Sequence, residues 1–128
     1  MLPDRKKLLI VDDSEIDRTI LRSILEEEFT IFEAAGGYGA FDILTKQNEH
    51  LDAIILDISM PFVDGFEVLE YMQKNGISNI PAFLITSEAT QENVERAMQF
   101  NVAEFLVKPF DRDDILRRLK SRLGFIPE

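Results

Sequence analysis

Short apolar runs alternate along this chain with longer stretches in which hydrophobic residues recur every three or four positions. Five runs read as strands: Lys7–Val11, Thr30–Ala34, Ala53–Asp57, Ala82–Thr86 and 103–107, each rich in Val, Ile, Leu or Phe. The first, third and fourth are apolar almost throughout, the pattern of parallel strands covered on both faces. The stretches between them read as amphipathic helices. Ser14 is a natural N-cap for a first helix with Ile16, Ile20, Leu21, Ile24 and Leu25 on its inner face. A second, entered through the turn Gly36-Gly37, carries Tyr38, Phe41, Ile43 and Leu44. A third carries Phe66, Val68, Leu69 and Met72 and stops at Asn75-Gly76, a good C-cap. Thr90 caps a fourth and least apolar helix with Val94, Ala97, Met98 and Phe100. Asp111 caps a fifth with Ile115, Leu116, Leu119 and Leu123, closed by Gly124.

Strict alternation of strand and helix predicts an α/β fold, (βα)5, with right-handed crossovers and a doubly wound five-stranded parallel sheet. The flavodoxin-like strand order 2-1-3-4-5 is the favoured arrangement. A chain of 128 residues fits one domain, 1–128, with its core at about 6–123. The composition is 45% hydrophobic, yet no run reaches membrane-spanning length and no signal region opens the chain. The absence of cysteine excludes disulfides and thiolate metal sites, and the cytoplasm is the default compartment. A net charge of -10 argues against direct nucleic-acid binding and suits solubility or a basic protein partner.

Strand polarity then sorts the acids. Asp57 closes the third strand and is followed at once by a loop with proline and glycine, Pro61 and Gly65, so its carboxylate falls at the carboxyl edge of the sheet, where α/β folds bind ligands. The first strand ends in Asp12-Asp13, and the order 2-1-3-4-5 makes it the neighbour of the third. Asp52 begins the third strand, about 16 Å from Asp57 at strand rise, and reads as a solvated strand start. Asp64, before Gly65, reads as a turn residue. Three crowded carboxylates need a cation or a proton, and an all-oxygen set suits Mg²⁺ or Mn²⁺. Capping of the first helix is the equal alternative for Asp12 and Asp13 taken as a pair. The fourth strand adds Thr86-Ser87 at the same edge and the fifth adds Lys108-Pro109. Acids, a cation site, a hydroxyl and an ammonium together form a receptor for a phosphoryl group, with a carboxylate as nucleophile. Gly36-Gly37-Tyr38-Gly39 lacks the spacing of a nucleotide loop and reads as a flexible turn.

Leu9-Ile10-Val11-Asp12-Asp13-Ser14, Ile55 to Pro61 with Asp64-Gly65, Leu84-Ile85-Thr86-Ser87 and Val107-Lys108-Pro109-Phe110 together resemble the receiver domain of bacterial response regulators, over nearly the whole chain. The resemblance implies that Asp57 accepts a phosphoryl group from a histidine kinase or phosphotransfer protein. It implies Mg²⁺ ligation by Asp13 and Asp57, by Asp12 through water, and by the backbone carbonyl of Ser59. Lys108 would meet the phosphoryl oxygens, and its bond to Pro109 would be cis. Thr86 and Phe105 would be the switch pair, with Ser59 and Glu88 tuning the phosphoryl lifetime. The output face would be the fourth helix, fifth strand and fifth helix, with homodimer formation on activation as one use of it. Arg117, Arg118, Lys120 and Arg122 either complement the fifth helix dipole or form a basic strip for a partner. His50 lies in the polar stretch from Gln47 and is far from the site edge. Two other readings stay open: a Mg²⁺-dependent phosphohydrolase using an aspartyl phosphate, and a degenerate receiver that binds partners without phosphorylation.

Overall fold

The computed structural model describes residues 5–47 and 50–124; Met1 to Asp4, Asn48, Glu49 and Phe125 to Glu128 lie outside the described residues. The elements run β1 (Lys7–Val11), α1 (Glu15–Leu25), β2 (Thr30–Ala34), α2 (Gly37–Gln47), β3 (Ala53–Asp57), α3 (Gly65–Lys74), β4 (Ala82–Thr86), α4 (Gln91–Gln99), β5 (Glu104–Val107) and α5 (Arg112–Arg122). The sheet is parallel in the order β2-β1-β3-β4-β5, as the alternation predicts. β5 starts one residue later than expected, at Glu104, although the Ala103 N–H already donates to the Ala82 carbonyl of β4. No helix among the described residues is long and apolar enough to cross a membrane.

The three central strands are the apolar ones because both their faces are covered. β3 and β4 are buried at every position, and β1 at all but Lys7, whereas edge strands β2 and β5 are mostly half-buried. One core layer packs Leu9, Val11, Ile54, Leu56 and Leu84 against Leu44, Phe66 and Leu69. The other packs Leu8, Ile10, Ile55, Phe83 and Ile85 against Leu21, Leu25, Ile115 and Leu119. Ser14, Asp64, Thr90 and Asp111 each accept a hydrogen bond from the N3 amide of the helix that follows, so four helices start where a capping side chain tells them to.

Several sequence expectations need correction. Ile16 and Ile20 do not face inward: they are 73% and 40% exposed, while Leu21, Ile24 and Leu25 bury the inner face of α1. Tyr38 and Met98 are likewise exposed. In each case the hydrophobic residue lies off the stripe that the helix turns to the sheet, and burial follows geometry rather than residue type. Asp64 is more than a turn residue: it and Glu67 form a capping box on α3. Asp52 is not merely solvated, since its Oδ2 accepts from the Lys7 amide at 2.8 Å and ties the starts of β1 and β3 together. Gly37 is required by packing and not by flexibility, because a Cβ there would lie 2.3 Å from the Val63 side chain. The basic strip of α5 is largely engaged within the chain: Arg117 and Arg118 pair with Asp114, Arg118 and Arg122 with Glu104, and Lys120 with Glu28.

Candidate functional site

Parallel register brings the strand ends together. Val11 pairs with Leu56, Asp57 with Ile85, and Thr86 with Val107, so Asp12, Asp57, Thr86 and Lys108 emerge along one edge. The loop after β3 is held tightly there. The Gly65 N–H donates to the Ile58 carbonyl at 2.9 Å, and a Cβ on Gly65 would sit 2.5 Å from the Asp57 carbonyl oxygen. Only glycine lets α3 start so close beneath the strand end. Phe62, in the same loop, takes a left-handed conformation (φ 68°) and is 91% exposed.

The carboxylate oxygens of Asp12, Asp13 and Asp57 lie within 4.8 Å of one another. Asp12 and Asp57 are buried and Asp13 is exposed. Asp12 does not cap α1, a task that falls to Ser14; its Oδ1 accepts from the Ser14 amide at 2.9 Å, while its Oδ2 accepts from Lys108 in the site. Asp57 Oδ1 receives the Ser59 amide at 3.3 Å. Burial, and then the charge of Asp12, push the Asp57 carboxyl up to about 7 against the pull of Lys108 and the Ser59 N–H. A buried acid whose charge is so poorly compensated, beside two more hard oxygen donors, fits a divalent cation of the Mg²⁺ type.

Lys108 reaches the cluster from the end of β5. Its Nζ lies 2.7 Å from Asp17 Oδ2, 2.9 Å from Asp12 Oδ2 and 3.6 Å from Asp57 Oδ2. Burial pulls the ammonium down, but the hydrogen bonds to Asp17 and Asp12 and the charge of Asp57 outweigh it and hold Lys108 above its ordinary value. The Lys108–Pro109 bond is cis. Thr86 is fully buried, and its hydroxyl is occupied by the backbone of Glu88, accepting from the N–H at 2.9 Å and donating to the carbonyl at 3.3 Å. Phe105 is part-buried against the core layer that includes Ala97 of α4. Ser59 and Glu88, both exposed, line a groove of about 440 Å³ beside the cluster, with Asn93 and Arg96 of α4 on its wall. Arg96 is stacked 4.1 Å above the Phe66 ring.

The sequence and the fold match known proteins. The family profile for the response regulator receiver domain covers residues 8–120. This chain belongs to the response regulator receiver family. The receiver is 33% identical over 119 residues to sporulation initiation phosphotransferase F of Bacillus subtilis, spanning 92% of this chain and 94% of that protein. It is 32% identical over 121 residues to a chemotaxis protein CheY homolog of Campylobacter jejuni, spanning 92% of each. A chain of the CheX–CheY–BeF3–Mg²⁺ complex from Borrelia burgdorferi superposes with a TM-score of 0.83 at 30% identity, covering 95% of this receiver and 90% of that chain. Larger proteins carry the same unit: the receiver spans only 15% of the Helicobacter pylori sensor histidine kinase CheAY.

Two participants escaped the reading of the receiver sequence. Asp17 is the nearest partner of Lys108, and Arg18 donates to the Asp12 carbonyl at 2.7 Å while pairing with Glu33 at 3.4 Å. The signal was present. Stepping back three and four residues from buried Leu21 along the inner stripe lands on Arg18 and Asp17, so α1 turns polar side chains to the site where an ordinary stripe would be apolar.

Proposed function

We propose that residues 1–128 form one receiver unit of a cytoplasmic two-component response regulator, with Asp57 as phosphoacceptor. The observation that carries this reading is the meeting of three carboxylates within 4.8 Å at one sheet edge with the Lys108 ammonium 3.6 Å from Asp57. An Asp57 carboxylate oxygen attacks phosphorus of a phosphohistidine presented by a histidine kinase or phosphotransfer protein. The new O–P bond forms as the N–P bond breaks, and the released imidazole takes up a proton. Asp12, Asp13 and Asp57, with the Ser59 carbonyl, would hold Mg²⁺, which neutralises phosphoryl oxygens as charge moves. Lys108 supplies a further positive charge, and the Thr86 hydroxyl a hydrogen bond once it leaves Glu88. The Borrelia relative, solved with Mg²⁺ and BeF3, a phosphoryl mimic, supports the Mg²⁺ assignment.

The output surface in this reading is α4, β5 and α5, with Phe105 following Thr86. α4 buries only Ala97 and leaves Val94 and Met98 exposed, which suits an element held loosely enough to shift. Ser59 and Glu88 stand on the groove through which water would reach the acyl phosphate, and so set its lifetime. Incubation with acetyl phosphate and Mg²⁺, followed by intact-mass measurement, tests the reading. One phosphoryl adduct on the wild type and none on Asp57→Asn is expected. Continuous release of phosphate from many monoesters would point to a phosphohydrolase instead, and no adduct even with a phosphorylated kinase would point to a phosphorylation-independent module.

A further inference from the structure

Lys108 divides its ammonium unequally among three acids, and the nearest is not one of the cluster. Asp17 Oδ2 stands at 2.7 Å, Asp12 Oδ2 at 2.9 Å and Asp57 Oδ2 at 3.6 Å. Only the first two are hydrogen bonds. Asp17 is carried on the first turn of α1, where its own amide is bound by Ser14 Oγ, so the backbone that presents its carboxylate is fixed. Its side chain is 27% exposed and that of Lys108 15%, so the pair is shielded from water over most of its surface.

We propose that Asp17 is a positioning residue for phosphoryl capture: it draws the Lys108 ammonium to itself at 2.7 Å, so that Asp57, at 3.6 Å, keeps only the longest of the three contacts. This rests on the reading of Asp57 and Mg²⁺ given above. An ammonium held only by Asp12 and Asp57 would contest the same oxygens as an incoming cation. With Asp17 as an alternative acceptor, Lys108 gives up Asp12 and remains paired. The same contact acts in the opposite direction on an anion at Asp57, because Lys108 must break its shortest ion pair to reach the phosphoryl oxygens. Asp17 thus favours the cation-loaded, unphosphorylated site and opposes a premature lysine–phosphoryl contact.

A double-mutant cycle with Asp17→Asn and Lys108→Met tests this, using Mg²⁺ titration by calorimetry and BeF3⁻ binding at saturating Mg²⁺ by ¹⁹F NMR. With Lys108 present, Asp17→Asn should weaken Mg²⁺ and tighten BeF3⁻, each about three- to tenfold, a coupling in the range of directly contacting pairs. In the Lys108→Met background both effects should fall below about twofold, since Asp17 then has nothing to park. Glu15→Gln, which removes a neighbouring exposed acid of α1, should leave both affinities within about twofold, and Asp17→Glu should restore part of the wild-type pattern. Equal effects of Asp17→Asn with and without Lys108 would reduce Asp17 to one more unit of negative charge and overturn the inference. No effect in either background would overturn it as well. Failure of the wild type itself to bind BeF3⁻ with Mg²⁺ would instead remove the underlying reading of Asp57.

Discussion

Replacing Asp57 with asparagine should make the metal-free protein more stable at pH 8. Asp57 is 4% exposed, and burial first and Asp12 second push its carboxyl up to about 7 from 3.8 by disfavouring its charge. Between those two values the folded chain holds a proton that the unfolded chain has released. Stability therefore falls as pH rises through the window, and the loss is complete above about 7. At 1.36 kcal/mol per pH unit the interval corresponds to about 4 kcal/mol. The crevice opens to water beside exposed Asp13, which screens the charge, so about 2 kcal/mol is the realistic gain. Asparagine keeps the shape and an acceptor for the Ser59 amide while removing the charge. Urea unfolding of both proteins in EDTA at pH 5 and pH 8 measures the effect. The variant should lead by about 2 kcal/mol at pH 8 and by less than half of that at pH 5. Millimolar Mg²⁺ should stabilise the wild type at pH 8 and close most of the gap, because the cation supplies the missing compensation. A variant no more stable than wild type at pH 8, or an advantage equal at both pH values, would refute the account of Asp57 as a poorly compensated buried charge.

Other consequences can be measured on the same preparations. Gly65→Ala forces a Cβ to within 2.5 Å of the Asp57 carbonyl oxygen and should cost about 1–3 kcal/mol in urea unfolding while weakening Mg²⁺ binding. Asp64→Ala removes the capping box of α3 and should cost about 1 kcal/mol with Mg²⁺ affinity little changed. Phe62→Gly relieves a left-handed backbone at a side chain 91% exposed, and a gain of about 0.5–1 kcal/mol is expected from the same melts. Thr86→Val should leave Mg²⁺ affinity within about twofold but weaken BeF3⁻ binding, since only the hydroxyl is lost from the phosphoryl receptor.

The fold was legible because each strand announces itself. Runs such as Ala53–Asp57 are apolar at nearly every position, and the caps Ser14, Thr90 and Asp111 stand where the helices begin. What the chain hides is which side of a helix faces inward. Ile16 and Ile20 look like core and are exposed, whereas Asp17 and Arg18 look like surface and face the site. Hydrophobicity reports the inner stripe only where that stripe meets apolar neighbours, and the first turn of α1 meets Lys108 and the Asp12 carbonyl instead. Gly37 and Gly65 were visible as glycines, but the close approaches that demand them, of Gly37 to Val63 and of Gly65 back to the Asp57 carbonyl across the β3–α3 loop, exist only in the folded chain.

The gathering of acids, hydroxyl and ammonium at one edge followed from strand order, but their present partners did not, and those partners bear on how a signal would be made. The Thr86 hydroxyl is bound to Glu88 and the Lys108 ammonium to Asp12 and Asp17, so neither group hydrogen-bonds Asp57, and Lys108 keeps only a 3.6 Å ion pair with it. In the proposed reading, phosphoryl capture would have to break both arrangements before it stabilised anything. Reversing a population from 1:99 to 99:1 takes about 5.5 kcal/mol of differential stabilisation. Hydrogen bonds to charged groups contribute about 1.5–3 kcal/mol each, so two new contacts suffice only if the bonds given up are weaker than those formed. The 3.3 Å donation from Thr86 to a neutral carbonyl meets that condition easily. The 2.7 Å ion pair of Lys108 with Asp17 meets it only because a phosphoryl group carries about two negative charges where Asp17 carries one. In the proposed reading, the steeper step of the switch would therefore lie at the lysine.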